Sequence, residues 1–376
     1  MSLFNVYPLF PIVISKGEGS YVYDSADAQY LDMYGGHAVI SIGHSHPEYV
    51  RRITDQVGKL GFYSNSILNP LQEELANKVA TLAGRPEWDL FLCNSGAEAN
   101  ENALKLASFH TGKKKIISFT GGFHGRTSLA VAVTDNPNIV APANQTENAL
   151  ILPFNDLAAL EEAFANHEIA AVIIEGIQGI GGINIPDAAF MQAIRNHCDS
   201  HNAVFIADAI QCGYGRSGQF FAHDHYGIEA DLYTLAKGMG NGFPIGGVLI
   251  SPKFEAKFGM LGTTFGGNHL ACAAALAVAD VIQSEGLIEN ASKVGGHLIN
   301  ELQKMTNVKE VRGRGLMIGI ELDHEVAALR KSLLFDDKIF TGSASNKNTI
   351  RLLPSLALNQ AQADQFLEVF GAKIKA

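Results

Sequence analysis

Three polar residues close apolar runs in this sequence, at places where a polar side chain is costly to keep. Lys237 follows "DLYTLA" and opens "GMGNGFPIGG", a loop with five glycines. A lysine at the end of a buried strand either snorkels to water or loses its proton to desolvation and becomes an amine that condenses with aldehydes. Asp208 ends "AVFIA". A carboxylate there stays ionised only beside a cation or a strong donor, which is either an ordinary lysine or arginine or a ligand that is cationic when bound. Ser95 opens "NSGAEA", where Glu98 three residues on makes a capping-box pattern and Gly96 permits close approach. The free amides of a helix start attract phosphate, although an ordinary capped helix has the same signature. Taken together the three residues specify a phosphate, an aldehyde and a protonatable ring nitrogen. Those are the groups of pyridoxal 5′-phosphate. Asp208 would keep the ring nitrogen protonated, and Lys237, once displaced by substrate, would move the proton.

The elements that must position these residues recur along the chain as an apolar run, a glycine-rich or polar turn and a helix-period segment. "DLFLC" (89–93) leads into "NSGAEANENALKLASFH", and "KIISF" (115–119) leads into "TGGFHGRT". "AAVIIE" (170–175) precedes "GIQGIGG", "AVFIAD" (203–208) precedes "AIQCGYGRSG", and "DLYTLAK" (231–237) precedes the glycine loop. Continuous apolar strands alternating with helices predict an α/β fold with a mainly parallel sheet flanked by helices on both faces. Ligands of such sheets bind beyond the carboxyl ends of the strands. Ser95, Phe123, Glu175, Asp208 and Lys237 all fall there. Residues 1–47 hold short strand-like runs between Gly/Pro turns, and from 285 the pattern becomes helix, strand, strand, helix. The expected division is a large domain over 48–284 and a smaller α+β domain built from 1–47 and 285–376.

Composition narrows the partners. Apolar residues make up 47% and charged residues 18%, the balance of a chain with a large core. The 38 acidic residues exceed the 28 basic ones, which argues against nucleic acid and anionic membranes as partners. No apolar run reaches the roughly 18 residues of a membrane span, and the N-terminus has no basic residue before Lys16, a poor signal peptide. Cys93, Cys198, Cys212 and Cys272 lie far apart without a C-x-x-C pair, as reduced thiols do, so the cytoplasm is the expected compartment. "GHSHP" (43–47) and "HDH" (223–225) pair histidines, but no carboxylate or cysteine set completes a ligand shell, and no metal is expected. "GMGNG" follows a lysine rather than a first βαβ strand, so it is no dinucleotide fingerprint.

The ordered motifs then carry a resemblance. From "NVYPLFPIVISKGEG" through "GGHAVISIGHSHP", "NSGAEANENALKLA", "FHGRT", "IIEGIQGIGG", "DAIQCGYGRSG", "LAKGMGNGFPIGG" and "TTFGGNHLACAAALA" to "RGRGLMIGIEL" and "IRLLPSL", the chain resembles the class III (ω-amino) aminotransferases of fold type I. Within them it is most similar to the acetylornithine and ornithine aminotransferases. The resemblance implies that Gly96 and Ala97 bind the cofactor phosphate through their amides, with Ser95 beside them. It implies that Phe123 stacks on the ring, Ile210 packs on its other face, Gln211 bonds the ring hydroxyl and Glu175 supports the site. Thr264 would reach the phosphate from the neighbouring subunit, so a homodimer with shared active sites is implied. Arg126 and Arg351 match the family's carboxylate-binding arginines, and guanidinium does bind carboxylate bidentately. Tyr7 matches a tyrosine that contacts the amino-acid substrate, and Ser64 and Asn65 lie in a matching loop.

Two departures stand out. Ala209 replaces the glutamate of an Asp-Glu-Val-Gln run. Ile180 replaces a glutamate that in many relatives pairs with the arginine matching Arg351 and parks it while an ω-amine reacts. The resemblance implies transfer of the terminal amino group of an N-acylornithine (acetyl- or succinylornithine) to 2-oxoglutarate, giving the semialdehyde and glutamate, in arginine biosynthesis. Ornithine or 4-aminobutyrate transamination, an aminomutase acting within one molecule, and a non-catalytic relative are the alternatives.

Overall fold

A computed structural model describes residues 3–375 of the chain. Its centre is a seven-stranded sheet with the spatial order Asp89–Cys93, Gly246–Ile250, Leu232–Leu235, Val204–Asp208, Ile169–Glu175, Lys115–Phe119 and Ala149–Leu152. Every neighbouring pair is parallel except those made by Gly246–Ile250, which runs antiparallel to both of its neighbours. The two central strands are buried along their whole length. That explains why they read as continuous apolar runs rather than as an alternation.

Alternate side chains of those strands enter different clusters, as the two-residue period of a strand requires. Ala171, Ile173, Val204 and Ile206 pack with Ala99, Ala103 and Leu104 of the helix Gly96–Thr111. Val172, Ile174, Phe205 and Ala207 pack with Phe190, Met191 and Ile194 of the helix Ala188–Ser200. The sheet is therefore covered on both faces, and the polar residues that follow the strands are left to crowd one edge. The fold is the expected α/β arrangement.

The chain ends build two further sheets. Ile339–Phe340 pairs in parallel with Gln29–Asp32, so the first and last parts of the chain share one ladder with Ile14–Glu18 and Tyr21–Asp24. Glu310–Arg314, Met317–Glu321, Thr349–Leu352 and Gly342–Ser343 form the other. The main hydrophobic cluster joins Leu31 and Met33 to Phe205 and Tyr233 and on to Ile318 and Phe366. That cluster draws on both chain ends and on the segment between them.

From Gly35 to Ala38 the backbone winds left-handed. Gly35, Gly36, His37 and Ala38 have φ of 56°, 55°, 69° and 64°. Asp32 starts the turn by accepting the amides of Tyr34 and Gly35 at 3.0 and 2.8 Å. A Cβ on Gly35 would meet the Leu353 carbonyl at 2.8 Å, so only glycine fits. His37 and Ala38 have no such freedom, and L residues held there cost about 1–2 kcal/mol each. Asn241 fastens the far end, accepting the amides of Ser41 and Ile42 at 2.8 and 3.1 Å and donating to the Gly43 carbonyl at 2.9 Å. This clasp ties the left-handed turn to the glycine loop that carries Lys237.

Candidate active site

Beyond the carboxyl ends of the central strands lies a cavity of about 620 Å³. Lys237 enters it from the end of Leu232–Leu235. Its φ is 45°, a left-handed value that costs a lysine about 1–3 kcal/mol and persists only where the surroundings enforce it. The enforcement comes from both sides of the loop. The Ser41 hydroxyl donates to the Gly238 carbonyl at 2.7 Å, and the Tyr49 hydroxyl donates to the Gly240 carbonyl at 2.8 Å. Burial pulls the Lys237 ammonium below the ordinary lysine range, with the charges of Asp208 and Glu175 opposing. That is the direction that frees an amine for nucleophilic work.

Asp208 and Glu175 are partners in the parallel ladder, so two carboxyls stand side by side under the cavity floor. Their surroundings separate them. Burial alone would raise Asp208, but its Oδ2 accepts from His124 Nδ1 and from Asn100 Nδ2, each at 2.8 Å, and its Oδ1 accepts from the Ile210 amide at 3.1 Å. These donors outweigh desolvation and hold Asp208 below the ordinary aspartate range. Glu175 accepts only the amides of Phe123 and Gly179, at 3.1 and 2.8 Å. Burial, with the charge of Asp208 added, pushes it up to about 7. One member of the pair is a fixed anion and the other holds its proton more tightly.

The helix Gly96–Thr111 points its N-terminus at the same space. Ser95 caps it, accepting the Glu98 amide at 3.2 Å, while the Glu98 carboxylate turns back to the Asn94 amide at 2.8 Å. The amides of Gly96 and Ala97 receive no side chain among the described residues, and both residues line the cavity. A Cβ on Gly96 would meet Ile210 Cδ1 and Cγ2 at 2.9 Å, so glycine is what lets Ile210 fill its place. Phe123 lines the cavity as well. An unpartnered lysine, a fixed anion, an open helix pole and two apolar faces are the donor set that pyridoxal 5′-phosphate needs, and the residues present fit that group.

The remaining candidates divide. Arg126 lines the cavity, is exposed and makes no hydrogen bond or ion pair among the described residues. Tyr7 also lines it, at the mouth, with 73% of its surface exposed. Ile180 forms part of the wall. Gln211 lines the cavity, but both ends of its amide are engaged: Nε2 donates to the His37 carbonyl at 3.1 Å and Oε1 accepts from Arg351 Nη1 at 3.3 Å. Arg351 lies behind that wall, 3% exposed. Thr264 is exposed outside the cavity of its own chain, and Thr263, not Thr264, reaches the site's rim by accepting from Asn94 at 3.3 Å. Ser64 and Asn65 stand away from the cavity; Asn65 donates to the carbonyls of Thr263 and Gly266. The paired histidines serve structure. His44 bonds Asp32 at 2.8 Å, and His223, lowered to about 4 mainly by burial, bonds the Ile174 carbonyl at 3.1 Å.

His124, Asn100, His37 and Tyr34 are the polar residues of this region that sequence reasoning did not assign. His124 stood inside the quoted "FHGRT". Asn100 stood one helical turn beyond Gly96, on the face that turns back to the strand ends.

The family description "Aminotransferase class-III" matches residues 5–374. The acetylornithine aminotransferase of Archaeoglobus fulgidus is 40% identical over 370 residues, spanning 98% of this chain and 96% of that one. Among solved structures, the ornithine aminotransferase of Toxoplasma gondii superposes with a TM-score of 0.93 at 28% identity, over 99% of this chain and 92% of that one. The same Toxoplasma enzyme has been crystallised with pyridoxal phosphate partially occupying its active site. The acetylornithine aminotransferase of Elizabethkingia anophelis superposes with a TM-score of 0.87 at 30% identity, over 99% and 96%. With the strand-end lysine, the paired carboxyls and the open helix pole already in one cavity, these matches along the whole chain settle its kinship: it belongs to the class-III aminotransferases.

Proposed function

We propose that the chain moves the terminal amino group of an N-acylornithine, acetylornithine foremost, to 2-oxoglutarate, giving the semialdehyde and glutamate as a step in arginine biosynthesis. The observation that carries this reading is the placing of Lys237, Asp208 and the helix pole at Gly96 around one cavity. Relatives named acetylornithine aminotransferase at 40% identity support the choice of donor. Pyridoxal 5′-phosphate, when bound, supplies the carbonyl that takes up the amino group and a ring that stores the electron pair left when a C–H bond breaks.

The chain's own groups do the rest. The Gly96 and Ala97 amides, at the positive end of a 16-residue helix, hold the phosphate. Asp208, kept anionic by His124 and Asn100, holds a proton on the ring nitrogen. Phe123 and Ile210 would enclose the ring, and Gln211 would offer its amide to the ring hydroxyl. Lys237 Nζ, whose charged form burial disfavours, would take up the proton released at the donor carbon and supply one to the acceptor carbon. Arg126 and Arg351 receive carboxylates, and Tyr7 closes over the donor at the mouth.

The same reading makes the active form a homodimer in the cytoplasm, with Thr264 completing the neighbour's phosphate site. It also keeps the large unit at 48–284 with a smaller one from 1–47 and 285–376.

Single-turnover spectra with acetylornithine, succinylornithine, ornithine and 4-aminobutyrate test the donor. Acetylornithine should convert the bound cofactor fastest, and Lys237→Ala should abolish turnover with every donor. Equal inertness toward the two acylated donors, or turnover by the Lys237→Ala protein, refutes the assignment.

A further inference from the structure

Arg351 is a buried cation without a counter-ion. Among the described residues no carboxylate pairs with it. Nε donates to the Ser343 carbonyl, Nη1 to Gln211 Oε1 at 3.3 Å and Nη2 to the Tyr34 hydroxyl at 3.3 Å. The last two contacts are long. A charged pair elsewhere in the same sheet, Arg312 with Glu321, closes to 2.7 Å, the usual separation for guanidinium and carboxylate. Both Nη atoms of Arg351 are thus held behind the cavity wall by neutral oxygens at a loose distance, while the apolar Ile180 in that wall offers it nothing.

The Tyr34 contact has a defined polarity. Guanidinium can only donate, so the Tyr34 oxygen accepts from Nη2, and its own hydrogen must go elsewhere. It goes to His37 Nδ1, 2.6 Å away. That bond requires the His37 tautomer with its proton on Nε2. The left-handed turn makes this relay: it sets Tyr34 and His37 with ring centroids 4.9 Å apart, and it does so at the cost of two L residues with positive φ. His37 lines the cavity while Tyr34 and Arg351 stand behind it.

We propose that Tyr34, with its hydroxyl hydrogen held by His37, is the positioning residue that parks Arg351 behind the cavity wall while an amine without a carboxylate at that end reacts, and that it releases the guanidinium when a dicarboxylate arrives. The inference rests on the reading that Arg351 receives the acceptor's carboxylate. An anionic latch would compete with that carboxylate for the same charge. A neutral phenol competes far less, so this chain can switch without a glutamate at position 180.

The test is steady-state kinetics on the holoenzyme with N-acetylornithine and 2-oxoglutarate varied independently. Tyr34→Phe removes the bond to Arg351, made in the parked state alone, together with the bond to His37, which does not depend on where Arg351 stands. The KM for 2-oxoglutarate should fall and the KM for N-acetylornithine should rise, each by about three- to tenfold, with kcat changed less. His37→Phe, which strips the hydroxyl of its acceptor, should shift both constants the same way by a smaller factor, and it serves alone if Tyr34→Phe does not fold. A rise in the 2-oxoglutarate KM, or no movement in either constant, overturns the latch, since Tyr34 would then belong to the carboxylate-bound state or to neither. Arg351→Gln separates the two layers. Should it leave the 2-oxoglutarate KM unchanged, the role of Arg351 itself fails, whatever Tyr34→Phe does.

Discussion

Glu175→Gln should tilt the pH dependence of stability rather than lower stability uniformly. Glu175 is 5% exposed and stands beside Asp208 in the ladder, and burial with that neighbouring charge raises its carboxyl from 4.5 to about 7. The folded state therefore binds this proton more tightly than the unfolded state does. The resulting contribution is fully present below about pH 4.5, shrinks as pH rises and is lost above about pH 7. At roughly 1.4 kcal/mol per tenfold change in proton affinity, the whole swing is about 3 kcal/mol. Glutamine does not titrate, so it removes the swing. Its NH2 group must also face one of the two amides, Phe123 or Gly179, that the carboxyl now accepts, which costs about 1–2 kcal/mol at every pH. The balance decides the sign. At pH 4 the variant should be the less stable protein by about 1–2 kcal/mol, and by about pH 8 it should match or exceed the wild type. Urea unfolding of the cofactor-free proteins at matched concentration, across that range, reads the crossing. Parallel curves, or a deficit that widens with pH, would mean that Glu175 is already ionised in the fold and that the argument from burial and Asp208 is wrong.

Two further outcomes follow from the geometry. Gly96→Ala puts a Cβ 2.9 Å from two Ile210 carbons and drives that side chain toward the cavity, an overpacking of about 1–3 kcal/mol. Titration of the cofactor-free protein with pyridoxal phosphate should show binding weakened by tenfold or more, and unchanged binding would remove Ile210 from the ring's surroundings. Phe62, Tyr63 and Phe265 leave apolar rings exposed, those of Phe62 and Phe265 5.3 Å apart and Phe265 next to Thr264 in sequence, and Phe258 is wholly exposed. Replacing Phe62 and Phe258 together by serine should give a monomer in sedimentation that has lost activity; a fully active monomer would end the shared-site reading.

What the sequence disclosed was set by range. The strand ends could be read because each strand is buried on both faces and so spells a continuous apolar run, and the pole at Gly96 could be read because its cap is three residues away. The partners that tune those residues are remote. His124 and Asn100 reach Asp208 from 84 and 108 positions away, and Tyr34 meets Arg351 across 317. Periodicity carries no information over such gaps, because they are closed by crossover connections rather than by neighbouring turns.

The left-handed turn was hidden for a different reason. Local rules assign positive φ to glycine, and Gly35 and Gly36 obey them, but His37 and Ala38 do not. Local preference was overruled there by Asp32 at one end and by the Asn241 clasp at the other. Sequence rules fail where the fold holds an unfavourable backbone for the sake of a side chain. Here the side chain so held is His37, and through Tyr34 it reaches Arg351, a buried guanidinium with no carboxylate partner among the described residues. A turn maintained against its own preference, and aimed at a charge the chain leaves unpaired, is the geometry that the proposed latch on Arg351 requires.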